Sequence, residues 1–325
     1  LLMMLVSALV TFVGTYATLK LAHKYQLYPR IRARDVHKRP TPRLGGIAMY
    51  VGFLSTLGVA GLLGWFRSVF AEPAQILAIL AAATLITIIG VLDDLYDLDW
   101  TLKLAGQFGV AGILAWQGVQ IMSLPIAGIT IGSLGISFVV TVFLTVLVMN
   151  AVNFIDGLDG LVSGVVLIGT GVFFAYSYFL AQQTSPTNYF NLASLLSSIV
   201  IGMCVGFLPF NWHPAKIFMG NGGSLFIGMI LSILIFNFLN HYDQNQILLY
   251  NQSLKIKIAF ALFSIPALDL VRVMLFRIYK GRNPFIGDSN HIHHKLKEMG
   301  YKSKYIVLFI IITQIFILTL SFVDF

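Results

Sequence analysis

Charge is what this sequence has least of. Only 10% of its 325 residues are Asp, Glu, Lys or Arg, against 58% hydrophobic, and the mean hydropathy is +0.85. A soluble domain carries about 25% charged residues, and no globular core can hide this much apolar surface while leaving so few charges to face water. The shortage of charge excludes a soluble protein, and the hydrophobicity excludes disorder. Cysteine is nearly absent: Cys204 stands alone, so no disulfide framework can form within the chain. Internal repeats and low-complexity tracts are missing too, and no stretch reads as a soluble domain.

What is present is a series of ten apolar runs near the span length of about 20 residues, each bounded by charge, proline or polar clusters. They fall near Leu2–Leu19, Leu44–Phe66, Ala74–Leu92, Leu102–Trp116, Ile136–Val152, Leu161–Leu180, Leu192–Leu208, Ser224–Leu239, Ile256–Phe276 and Tyr305–Phe322. The fold class expected is an all-α integral membrane protein, about ten transmembrane helices in one bundle, with residues 1–325 forming a single polytopic domain. The fourth and eighth runs are short and glycine-bearing, which suits a helix that is tilted, broken or packed inside the bundle. The first run lacks a preceding basic region and a small-residue cleavage site, so it reads as a retained span. Between the fourth and fifth runs, Gly118–Gly135 has Pro125 and β-branched alternation, the pattern of a short hairpin.

Basic residues set the orientation. Eighteen of the 21 Lys and Arg residues fall in or face the odd-numbered connections, and only Arg67, Lys255 and Lys257 fall on the other side. The positive-inside rule makes the odd connections cytoplasmic and puts both termini outside. This asymmetry explains the net charge of +8 without nucleic acid. Trp65, Trp100, Trp116 and Trp212 all lie at or just beyond span ends, where amphipathic rings favour the headgroup region.

The polar residues gather on that same cytoplasmic edge, in five clusters: 34–46, 93–99, 153–160, 220–224 and 287–294. Membrane-edge carboxylates are costly and tend to mark function. Asp93 and Asp94 end the third run, and such a pair can hold a hard cation or place a base beside it; a capped, solvated helix end is the plainer alternative. Asp97 and Asp99 read as cap and interface residues. Asn153, Asp156 and Asp159 are spaced by three, which in a helical turn puts their oxygens near one face, with Gly157 and Gly160 allowing close backbone approach; two Asp-Gly turns are the competing reading. Gly220-Asn-Gly-Gly-Ser224 opens the eighth run and can offer N–H groups to an anion, or serve simply as a flexible helix start. His291, His293 and His294 lack the companions of a zinc site and fit phosphate recognition better, with Arg277, Lys280 and Arg282 adding positive potential. Lys38 and Arg39 raise the same choice between phosphate and anionic lipid. Asp269 is the one carboxylate inside a span, and Arg272 three residues on reads as its structural ion-pair partner. Charges at mid-membrane in two similar halves, expected of a transporter, are not found.

At these residues the chain resembles the polyprenyl-phosphate N-acetylhexosamine-1-phosphate transferases, the branch of WecA and TagO more closely than that of MraY. The resemblance covers essentially the whole chain. It rests on His37-Lys-Arg-Pro-Thr-Pro-Arg-Leu-Gly-Gly46, Gly90-Val-Leu-Asp-Asp-Leu95, Asn150-Ala-Val-Asn-Phe-Ile-Asp-Gly-Leu-Asp-Gly-Leu161, Phe218-Met-Gly-Asn-Gly-Gly-Ser224 and Asn290-His-Ile-His-His294. It implies transfer of N-acetylglucosamine-1-phosphate from UDP-N-acetylglucosamine to undecaprenyl or another polyprenyl phosphate, with Mg²⁺ or Mn²⁺ and release of UMP, starting a cell-envelope polymer. It implies a cytoplasmic-facing active site in the cell membrane, and a homodimer. Position by position, it makes Asp93, Asp94, Asp156 and Asp159 the catalytic and metal-site acids. Asn153 would orient the site, while Lys38, Gly220, Arg282, His291, His293 and His294 would bind substrate. One departure stands out: the family usually has Asp where this chain has Asn221, a metal ligand in MraY relatives. An amide still offers an oxygen but removes a unit of negative charge from a hard-cation site. A tolerated variant, an inactivated form and a divergent enzyme all remain open here. So do a transferase using UDP-MurNAc-pentapeptide and a lipid-phosphate-binding homologue of low activity.

Overall fold

The computed structural model describes residues 1–28, 40–124, 129–131, 133–184, 191–243, 250–281 and 291–321. Among these, helices coincide with all ten apolar runs: α1 (Leu2–Lys24), α2 (Gly45–Leu62), α3 (Pro73–Tyr96), α4 (Trp100–Trp116), α5 (Leu134–Ile155), α6 (Leu161–Thr184), α7 (Leu192–Asn211), α8 (Gly220–Asp243), α9 (Tyr250–Tyr279) and, after the short α10 (Ile292–Glu298), α11 (Ser303–Ser321). Among the described residues, eight helices are long and apolar enough to cross a membrane. Of the remaining long helices, α4 has 17 residues, and α9 carries Asp269, Arg272 and Arg277 in its second half. Two-residue strands, Ser123–Leu124 and Ile129–Thr130, pair antiparallel within the segment expected to form a hairpin.

The helix ends follow from local chemistry. Pro73 opens α3, where its missing N–H has no partner to lose. The helix stops at Asp97, which takes up the left-handed conformation (φ 55°). Two residues on, Asp99 caps α4 by accepting from Thr101 N–H at 3.1 Å. Asn191 and Ser194 form a reciprocal capping box at the start of α7. In α9 the helix kinks at Phe263 (φ −133°), three residues before Pro266, whose ring cannot continue the regular hydrogen-bond ladder.

The eighth run is the interior helix: its span is 94% buried, with α2, α3, α5, α7 and α9 packed around it. In contrast, α1 and α11 keep most of their surface exposed, with large apolar side chains such as Leu5, Leu9, Phe309 and Phe316 facing outward. That is the distribution a lipid solvent selects, since only the interior helix must find protein on every side. Small residues let helices close up where they meet. Gly202 and Gly206 of α7, one turn apart, lie against the backbone of α1, and Ser7 of α1 donates to Ile199 O at 2.8 Å. The exposed tryptophans mark helix ends as expected: Trp100 and Trp116 bound α4, and Trp212 follows α7.

Candidate active site

The C-terminal ends of α3 and α5 meet the N-terminal ends of α2, α4 and α8 at one end of the bundle, and glycine makes that meeting close. Built on Gly90 of α3, a Cβ would lie 2.5 Å from Gly222 Cα, and one on Gly46 of α2 would strike Gly223 N. The backbone of α8's first turn therefore touches two helices directly. The 40–46 segment is tied to the approach to α8 by three backbone bonds, Phe218 N–H to Pro42 O, Gly45 N–H to Phe218 O and Gly46 N–H to Met219 O, at 2.8 to 3.0 Å. Gly220 takes φ +68°, and a side chain there would collide with Arg43 O and the Asp94 carboxylate.

This packing brings Asp93 and Asp94 onto Asn221. The Asn221 amide nitrogen donates to Asp93 Oδ2 at 2.5 Å and to Asp94 Oδ1 at 3.1 Å, and its oxygen accepts from Asn153 Nδ2 at 2.6 Å. Asn153 also donates to Ser224 Oγ at 2.8 Å. Gly222 N–H donates to Asp94 Oδ2 at 3.2 Å, so the anion received by the first turn of α8 is the protein's own carboxylate. Asp93 is buried and pairs with Lys103 Nζ at 2.8 Å. Lys103 is a site residue that sequence reasoning missed, because in the sequence it is one more cytoplasmic-edge lysine.

The turn after α5 splits its two aspartates. The three-residue spacing suggested one shared face, but α5 ends at Ile155 and Gly160 takes φ +72°, so Asp156 and Asp159 lie on a non-helical turn. Asp156 sits in the field of Asp94 with Arg43 as counter-charge. Loss of water, reinforced by Asp94 and opposed by Arg43, lifts its carboxyl to about 7. Asp159 is buried and faces the connection between α7 and α8, where its Oδ2 accepts from His213 Nδ1 at 2.7 Å and Ala215 N–H at 3.1 Å. Beside it, Asn211 accepts from Gly160 N–H and donates to Ile217 O, clamping the two loops together.

The histidines close the site from α10. His291 Nδ1 is 2.7 Å from Asp269 Oδ2, and its ring lies 5.3 Å from Phe154 and 5.9 Å from the nearly parallel ring of His293. His293 is 1% exposed, neither of its ring nitrogens has a hydrogen-bond partner, and it covers Gly157, where a Cβ would collide with it. Burial, then the neighbouring His294 and His291, pushes its imidazole down to about 3, so it is neutral. Arg277 is fully buried over the Phe154 ring, 5.9 Å from its centroid. All five polar clusters expected to converge do so in their described parts; Lys38 and Arg282 lie outside the described residues.

Among the described residues no three His, Cys, Asp or Glu side chains converge on one metal position. The donors nearest each other are two carboxylates and an amide, all hard oxygen donors apart from the amide nitrogen that bridges the pair. Mg²⁺ commonly takes one or two carboxylates and keeps several waters and substrate phosphates, so Asp93 and Asp94 fit it, while Asn221 turns its amide nitrogen to the pair and its oxygen to Asn153.

Residues 76–239, which hold the acid pair, the 150–161 turn and the start of α8, match Glycosyl transferase family 4. The chain is 34% identical to decaprenyl-phosphate N-acetylglucosaminephosphotransferase of Mycobacterium leprae, across 94% of this chain and 79% of that protein. It is 32% identical, over the same shares, to a probable undecaprenyl-phosphate N-acetylglucosaminyl 1-phosphate transferase of Bacillus subtilis. Identity to undecaprenyl-phosphate alpha-N-acetylglucosaminyl 1-phosphate transferase of Escherichia coli is 28%, over 88% of this chain and 73% of that one.

Proposed function

The chain belongs to glycosyl transferase family 4, and on that premise we propose that it transfers N-acetylglucosamine-1-phosphate from UDP-N-acetylglucosamine to a polyprenyl phosphate. An oxygen of the lipid phosphate forms a bond to the donor's β-phosphorus, while the bond from that phosphorus to the bridging oxygen breaks and its electron pair leaves with UMP. The product is the lipid-linked sugar diphosphate that begins a cell-envelope polymer. The relatives named for transfer of this sugar to decaprenyl or undecaprenyl phosphate support both substrates.

The observation that carries the reading is the acid centre itself. Asp93 and Asp94 are held together by one amide at the end of a bundle whose flanks are apolar, which is where a water-soluble donor can meet a phosphate anchored in lipid. When bound, Mg²⁺ supplies neutralisation of the diphosphate charge that develops in the transfer. Asp93, fixed by Lys103, and Asp94, fixed by Gly222 and Asn221, hold that cation, and one of them assists the lipid phosphate. Asn153 aligns Asn221, and Asp156 adds negative field. Asp159 acts at one remove, by holding the 213–215 loop beside the turn. The histidines, Lys38 and Arg282 hold the donor's phosphates. The same reading puts this end of the bundle in the cytoplasm, where nucleotide sugars are found, with ten spans and both termini outside.

A second reading rests on Asn221. Its amide N–H groups occupy the acid pair, which supports a lipid-phosphate-binding homologue of low turnover. Exchange of radiolabelled UMP into UDP-N-acetylglucosamine by the purified protein, in the presence of polyprenyl phosphate, separates the two: exchange supports the transferase, and binding of the lipid phosphate without exchange supports the homologue.

A further inference from the structure

Asp269 does more than pair with Arg272. Its carboxylate is 3% exposed, and both oxygens are used: Oδ2 faces His291 Nδ1 at 2.7 Å, while Oδ1 accepts from Ile292 N–H at 2.8 Å and from Arg272 at 3.0 Å. The Arg272 side chain is 45% exposed and that of His291 only 6%, so the dry partner of this buried charge is the histidine. Ile292 is the first residue of α10, whose N-cap, His291, makes no side-chain cap of its own. One carboxylate thus supplies the missing cap to α10 and fixes the ring of the residue that precedes it.

We propose that Asp269 is a positioning residue for the donor site: it seats His291 and the first turn of α10 against the 153–157 turn. This rests on the reading of the site as a UDP-sugar transferase. With Nδ1 facing Asp269, His291 has only Nε2 left for a ligand, and a protonated Nε2 donates to a phosphate oxygen. The contacts carry the placement onward, since His291 packs on Phe154, between the site residues Asn153 and Asp156, and beside His293, which covers Gly157, next to Asp156. An amide does not reproduce this carboxylate. Asn has one acceptor oxygen for Ile292 N–H and Arg272, and its NH₂ then faces His291 Nδ1, so the ring must either leave its place or turn its Nδ1 lone pair to the amide and carry its proton on Nε2, without the negative charge that favours the imidazolium.

The test uses full-length protein in detergent with ¹⁵N-labelled histidine, in wild-type, Asp269→Asn, His291→Ala and double-variant forms. Asp269→Asn is expected to change the ring-nitrogen shifts of His291, identified as the signals missing in His291→Ala. It is expected to raise the KM for UDP-N-acetylglucosamine about tenfold, the low end for removing the partner of a ligand-holding histidine, with a smaller change in kcat. In the His291→Ala background the same substitution should add little, because the pair acts as a unit. A purely structural Asp269 would instead lower thermal stability equally in both backgrounds. Unchanged His291 shifts, or a KM effect of the same size with and without His291, would overturn the proposal. Should the wild type release no UMP, the transferase reading fails by itself, and the nitrogen spectra still decide whether Asp269 fixes His291.

Discussion

Asn221 turns its amide nitrogen to Asp93, 2.5 Å from Oδ2, and its amide oxygen to Asn153. The amide therefore acts as a neutral clasp between two carboxylates, in a position where a third carboxylate would repel both. Replacing Asn221 with Asp should remove the clasp and add a cation ligand. The expected result is a shift of the activating Mg²⁺ concentration to values about tenfold lower, roughly 1.4 kcal/mol, and a fold that depends more on the metal. A metal titration of turnover and of thermal stability in both forms checks this. Equal metal dependence would mean that position 221 does not contact the ion.

Asp93→Asn and Asp94→Asn should each reduce turnover at least about a hundredfold, the low end for loss of a positioned acid or base. Donor binding should suffer less, because the histidines and the 153–157 turn are left intact. Steady-state kinetics on purified variants decide it, and near-wild-type kcat in both would return the pair to the role of an ordinary helix end.

Two groups should give stability opposite responses to acid. The His293 imidazole lies well below its usual range, at about 3, so below pH 6.5 the unfolded chain takes up a proton that the folded protein refuses, and stability falls as pH drops from there towards 3. Asp156, raised to about 7, works the other way: the folded state binds its proton first, so this group favours the fold below its unfolded value near 3.8, and that contribution is lost as pH rises through 7. Between pH 6.5 and 5 the two responses oppose each other, so relative to the wild type the thermal midpoint should rise with acid in His293→Gln, where Asp156 acts alone, and fall with acid in Asp156→Asn, where His293 acts alone. Unchanged curves in both variants would contradict the assignments.

The orientation is checked by cysteine accessibility. A cysteine at Asp99, the cap of α4, or at Lys302, just before α11, should resist an impermeant thiol reagent added outside intact cells and react once the membrane is opened. Labelling from outside would reverse the frame.

Much of this could be read in the sequence because a membrane restricts where polar groups go. The apolar runs become helices, and the short, glycine-bearing eighth run becomes the helix at the centre. Asp93, Asp94, Asn153 and Asn221 stood out as candidates because polar residues at a membrane edge are costly, and the fold brings these four together. What escaped depends on contacts between distant parts of the chain. Lys103 looks like any membrane-edge lysine until α4 folds back on α3. Asp269 has Arg272 at helical spacing, yet its buried partner is His291, 22 residues on. Asp159 matched the spacing of Asp156, but the helix ends at Ile155, before both, and the turn that follows brings Asp159 to His213.

The central claim is that the acid centre transfers a phosphosugar to a lipid phosphate. Its most direct test is mass-spectrometric detection of the lipid product and UMP when the purified protein is given UDP-N-acetylglucosamine, a short polyprenyl phosphate and Mg²⁺. The account predicts equal amounts of UMP and of lipid diphospho-N-acetylglucosamine, both abolished in Asp93→Asn. No product from the wild type with Mg²⁺ present, or product formation undiminished in that variant, would contradict it.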